Sequence, residues 1–312
     1  MTTRLSSAEV IPKTMKANAK TRRRKNERHF QAGIQILFQH HDRLHLSRGD
    51  ICLTGIFTTA INLRSQSASF EYVLGNITII FMLIVPVLAM RSIAEERRSR
   101  TDQLLYSLPI KTIDIVLGKY LSMTAVLLIA CVGMAFVPVI LSLFGIVHYG
   151  SCYAALLGFF LLGAALIAIC MFMSSLTESQ IIAAVTSFGV VLALYLMSGL
   201  ASLLPTTAVG SFVAFLILGA AFGLIVWALT RDPLIGVIAA GVVIIPTSIF
   251  YFVNQEAFAG LFPSIISYLA VFDRFDVFVS GIFDLTDVVY YLSIIVFFVF
   301  LTVQSLEKRR WS

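Results

Sequence analysis

Four cysteines, five histidines and a handful of carboxylates are the residues whose types could support chemistry, and their spacing supports little of it. Cys52, Cys131, Cys152 and Cys170 form no CxxC pair, and all stand in or beside apolar runs. Cysteines so placed read as small apolar filler in helices rather than as metal ligands or disulfide partners. His40 and His41 are adjacent, but no acidic or cysteine partner stands at ligand spacing. Gly118-Lys119 is followed by Tyr120 and lacks the upstream glycine of a phosphate loop. HExxH and GxSxG are absent. The group Asp273, Asp276, Asp284 and Asp287 is the one candidate for a polar catalytic cluster, and a solvated loop face explains it more simply. The sequence therefore predicts no catalytic residues, no metal and no cofactor held by this chain.

The elements around these residues belong to a membrane. Of the 312 residues, 58% are hydrophobic and 13% charged, with a mean hydropathy of +0.91. Soluble domains carry about 25% charged residues, so the apolar excess needs lipid to face. Stretches of about 20 apolar residues cross a bilayer as helices. They fall at roughly 72–90, 115–146, 152–175, 180–204, 209–229, 234–253 and 287–305. A shorter run, Ile51–Leu63, precedes them and stops at Arg64. The expected fold is an all-α polytopic bundle of about eight spans.

Charge sets the orientation. The net charge of +6 resides in the first 50 residues and in short loops, not on a nucleic-acid-binding face. Arg91, Arg97, Arg98, Arg100, Lys111, Lys119, Arg231 and the tail Lys308-Arg309-Arg310 all fall on one side of an eight-span topology. The other side collects Glu71, Glu256, Asp273, Asp276, Asp284 and Asp287. The positive-inside rule then puts both termini in the cytoplasm. Carboxylates are almost absent from mid-span, which argues against the proton relay of a secondary transporter.

Two segments between spans carry more pattern than a short loop needs. Residues 254–287 interleave aromatic and aliphatic residues with Asp and Arg, and read as one or two short amphipathic helices lying at or dipping into the outer interface. Residues 91–114 combine charge with an apolar set (Ile93, Leu104, Leu105, Leu108) that could seat in a groove of another protein, and composition fits equally well a solvated charged loop that only obeys the positive-inside rule. Pro109 breaks that helix. Gly158, Gly163 and Ala164 would let helices approach closely. Asn76, Thr186, Ser187 and Tyr195 could line a path or bond helix to helix.

The order Glu95-Glu96-Arg97, Thr101-Asp102-Gln103-Leu104-Leu105, Leu108-Pro109 and Ile115-Val116-Leu117-Gly118-Lys119 resembles the first cytoplasmic loop of type-2 ABC transporter permeases. The gliding-motility-type permease is the nearest variety. Ser174–Gln180, Phe272-Asp273-Arg274-Phe275-Asp276 with Gly281–Asp284, and the tail from Phe300 to Trp311 extend the likeness over about Gly55 to the end. The resemblance implies that Glu95, Glu96, Arg98, Asp102, Leu104, Leu105 and Pro109 couple to a separate ATP-binding subunit, with Glu178 in a second cytoplasmic contact. It implies an outer gating segment at Phe272, Asp273, Arg274, Phe275 and Asp276. ATP and Mg would sit on the partner. The chain would be half of a dimeric unit, formed with a second copy or a related permease chain, in a bacterial cytoplasmic (inner) membrane. Its substrate is unidentified and its expected direction is export. A secondary transporter or channel without an ATPase is the alternative. The apolar pair at about 209–253 exceeds the common six-span form.

Residues 1–50 do not resemble the family, and the division expected is a basic segment 1–50 followed by the permease domain 51–312. Read one base later from Asn26, allowed codons can spell MKGIFKREFKSYFNTMTGYIYLAG, which looks like the family's start. A frameshift near Gly49–Leu53 is one reading, and a stop codon in the shifted frame before Gly49 would refute it. A basic arm lying on anionic lipid is the other.

Overall fold

The computed structural model describes residues 55–59, 69–98 and 111–310. All regular structure among them is helical. The principal helices are α1 (Phe70–Arg98), α2 (Thr112–Met134), α3 (Val137–Leu141), α4 (Tyr149–Leu176), α5 (Gln180–Leu203), α6 (Ala208–Thr230) and α7 (Pro233–Val253). Three short helices follow, α8 (Gln255–Phe258), α9 (Leu261–Leu269) and α10 (Val271–Val279), and the long α11 (Leu285–Arg310) closes the chain.

Seven of these stretches are long and apolar enough to span a membrane: Phe70–Ala94, Thr112–Leu141, Tyr149–Leu176, Gln180–Met197, Ala208–Ala228, Pro233–Val253 and Leu285–Lys308. The expected eighth, Ile51–Leu63, lies outside the described residues except for a helical piece at 55–59. The span expected at 115–146 is shorter and broken. Pro138 has no N–H and its ring collides with the preceding turn, so α2 stops at Met134 and α3 restarts after Phe136. Pro86 and Pro246, by contrast, are carried inside α1 and α7.

α4 is the axle of the bundle. It packs against α1, α2, α5, α10 and α11 and is the most buried of the spans. Apolarity alone does not put it there, since lipid also satisfies a helix apolar on every side; its small residues allow close neighbours. A Cβ on Gly163 would stand 2.6 Å from Leu127 of α2 and 2.8 Å from Phe81 of α1. Phe81 and Phe159 pack with ring centroids 4.6 Å apart. The Tyr120 hydroxyl of α2 donates to the Ala164 carbonyl at 3.3 Å.

α6 and α7 form a hairpin of their own, whose main outside contacts are with α8 and α9. A Cβ on Gly223 would lie 2.6 Å from Ala240 and 2.8 Å from the Gly236 carbonyl. One on Gly236 would lie 2.7 Å from the Trp227 Cβ. The seam is thus small residues at four-residue spacing, Gly219 and Gly223 on one helix, Gly236 and Ala240 on the other. Thr207 caps α6 by accepting from the Gly210 N–H, and Asp232 caps α7 by accepting from Leu234.

Candidate functional site

Alternation of the spans gathers the ends of α1, α4, α6 and α11 and the starts of α2, α5 and α7 on one side, here the basic side. On it α1 continues as helix beyond the apolar span, through Glu95, Glu96 and Arg98. The expected coupling segment at 91–114 is helical to Arg98 as a continuation of α1, and its last residues, from Thr112, already belong to α2. Asp102, Leu104, Leu105 and Pro109 lie outside the described residues. Glu178 is exposed in the short turn between α4 and α5.

The end of α1 is tied down by contacts that the sequence reading did not single out. The Ser174 hydroxyl, fully buried, accepts from the Ala94 N–H and donates to the Met90 carbonyl, both at 3.2 Å. These two groups belong to one rung of the α1 ladder. From α2, the Lys119 ammonium donates to the Ser92 carbonyl at 3.0 Å. Lys119 thus reaches across to a carbonyl of the neighbouring helix. A pair of serines ending an apolar run signals helix-to-helix bonding, but their sequence position does not say to which carbonyl.

On the opposite, acidic side the segment 254–287 contains three short helices where one or two were expected. Gly260 at φ 72° breaks α8 from α9, a left-handed position that suits glycine. The third helix of the segment, α10, is docked into the bundle, while α9 buries no residue. Phe272, Phe275 and Phe278 are all buried. Phe278 fills the space that Gly158 leaves, where a Cβ would come within 2.6 Å of its ring. Phe275 meets Phe159 edge-on at 6.1 Å, and Phe272 meets Tyr195 of α5 at 5.3 Å.

Arg274 donates to Asp287 at 2.8 Å, with side-chain exposures of 24% and 1%. The guanidinium also lies over Tyr268 at 5.7 Å and Tyr290 at 5.2 Å. The buried Tyr291 hydroxyl donates to the Val271 carbonyl at 2.9 Å. Asp287 is thus a structural ion-pair partner, not part of a solvated acidic face. Asp284 caps α11 by accepting from the Thr286 N–H at 2.8 Å, which holds its carboxyl below the usual range. Asp276 is pushed up, first by desolvation and then by the Asp273 charge. Phe258 is buried among Phe212 and Phe215 of α6 and Phe250 and Tyr251 of α7, which fastens the hairpin to this side.

The polar residues of the spans divide by role. Asn76 and Thr186 bond back to carbonyls of their own helices, Tyr72 and Ile182. Ser187 of α5 reaches the Cys170 carbonyl of α4 at 3.5 Å, and Cys152 of α4 donates to Glu71 of α1 at 3.3 Å. Among the described residues no cluster of three or more His, Cys, Asp or Glu could hold a metal ion.

Fold and contacts together define a multi-pass, all-helical membrane protein with a charged helix end on one side and a docked amphipathic segment on the other. The family model described as ABC-2 family transporter protein matches residues 54–209, half of the chain, and the chain belongs to this family of membrane-spanning permeases. No curated protein and no solved structure matches it. As a family without an ATPase domain, it requires an ATP-binding subunit as partner, and the alternative of a secondary transporter or channel is set aside. The matched region ends where α6 begins, so the appended hairpin and the docked segment lie beyond it.

Proposed function

We propose that this permease is half of a dimeric export unit of the gliding-motility type, in a bacterial cytoplasmic membrane with both termini in the cytoplasm. Its partners are a pair of ATP-binding subunits that carry ATP and Mg, and a second permease, either another copy or a related chain. ATP binding closes the two ATPase subunits. Their motion is received at Glu95, Glu96, Arg98, Asp102, Leu104, Leu105 and Pro109, with Glu178 as a second contact. The docked segment at Phe272–Asp276 then shifts to open or close the outward path.

The observation that supports this best is the run of α1 as one helix from the span into the charged stretch ending at Arg98. A helix that leaves the bilayer without a break can carry a push from a cytoplasmic partner into the bundle. The basic residues at that end, at Arg231 and at the end of α11 agree with the cytoplasmic assignment.

The test is co-purification. A C-terminally tagged chain is co-expressed with the ATP-binding protein encoded nearest to it. A stoichiometric ATPase is expected, and it should be lost when Glu95, Glu96, Leu104 and Leu105 are changed to Ala. Folded chain that never retains an ATPase would refute the proposal.

A further inference from the structure

We propose that Ser174, assisted by Lys119, is a positioning residue of transport: it clamps the cytoplasmic end of α1 to the central helix α4, so that a push received beyond Arg98 enters α4. This role rests on the docking reading above.

The argument starts from a weakness in α1. Pro86 lacks an N–H, so the Met82 carbonyl loses its partner and the helix is softest between those residues. Everything after Pro86, including Glu95–Arg98, would pivot about that point if nothing held it. One turn later Ser174 holds it. Its hydroxyl bridges the Ala94 N–H and the Met90 carbonyl, and it is fully buried, so water does not compete for either group. Ser92, Ile93 and Ala94 are themselves buried at the same place. Lys119 adds a second bond to the same turn from α2.

The clamp also joins the two expected ATPase contacts. Ser174 lies four residues before Glu178, and the turn it grips lies one residue before Glu95. A partner pressing on both would therefore move one body. That body reaches the far side, because α4 holds Phe278 of α10 at Gly158. Ser174 follows Gly158 by 16 positions, about 24 Å along the helix.

The experiment uses the full-length chain with its co-purified ATP-binding subunit. Backbone amide exchange is followed at Ile93–Arg98 and at Val271–Val279, with and without ATP. In S174A, exchange at Ile93–Arg98 should rise at least tenfold. The ATP-dependent change at Val271–Val279 should shrink at least tenfold while the ATPase stays bound. Should S174A fail to fold, K119M, at a half-exposed position, must show both effects in weaker form. Exchange at Ile93–Arg98 within twofold of the unmodified chain would overturn the clamp. Faster exchange there with an undiminished response at Val271–Val279 would overturn its role in transmission. An unmodified chain that retains no ATPase would overturn the docking reading and this role with it, an outcome visible before any substitution is made.

Discussion

Breaking the Arg274–Asp287 pair from its two ends should have unequal consequences. In R274A the Asp287 carboxylate, 1% exposed, is left without its cation. Orphaning a buried charge costs about 3–5 kcal/mol. The Arg274 contacts with Tyr268 and Tyr290 are lost as well. In D287A the orphan is Arg274, which is 24% exposed, remains over both rings and can turn to water. Discounting a charge-assisted bond for that exposure leaves about 1 kcal/mol. Since 1.4 kcal/mol is a factor of ten, local opening of α10 should rise roughly 100-fold or more in R274A and less than tenfold in D287A. The double variant removes the orphan altogether and should open less than R274A. Amide exchange at Phe275–Val279 measures this opening directly. Equal effects of the two single substitutions, or a double variant worse than R274A, would refute the account of a buried carboxylate held by a half-solvated guanidinium.

G158A should loosen α10, because its Cβ meets the Phe278 ring at 2.6 Å; a cost of about 1–3 kcal/mol is expected, read as faster exchange in α10 and partly reversed by F278A. G223V should splay the α6–α7 hairpin, since the new side chain meets the Gly236 carbonyl, which cannot yield. Tryptic cleavage at the exposed Arg231 should accelerate at least tenfold while exchange in α4 is unchanged. Burial and Asp273 raise the Asp276 carboxyl in the folded chain, so its ionisation opposes docking. That opposition is full above the raised value and vanishes as pH falls below about 3.9, the ordinary carboxylate range. D276N should therefore slow α10 exchange at pH 7, with the effect shrinking as pH falls and lost about one unit below the ordinary carboxylate value of about 3.9; a variant that loosens α10 at pH 7 would contradict this.

Much of the fold was legible in the sequence because a bilayer imposes one rule on every span. Long apolar runs must be helices, and their ends must carry the charge. Seven of the expected spans, the helical class and the family likeness all follow from residues read in order, whereas the break before Pro138 does not. Gly158 and Gly163 were recognisable as points of close approach from size alone. The amphipathic segment was legible as short helices, though not their number, since the break at Gly260 depends on a left-handed backbone turn.

What required the tertiary structure was partnership. Nothing in the spacing of Arg274 and Asp287, 13 residues apart on different helices, says that they meet. Nothing in Ser174 says that its hydroxyl takes a rung of α1, 80 residues earlier. The same is true of Phe278 in the space left by Gly158, and of Ser187 and Asn76, two small polar residues of similar standing that bond respectively to a neighbour and to their own helix. Hydropathy reports how much of a helix avoids water, and a lipid tail satisfies it as well as a protein side chain does. Only packing decides which face meets lipid and which meets another helix, because that choice depends on shape and on which buried donor finds which acceptor.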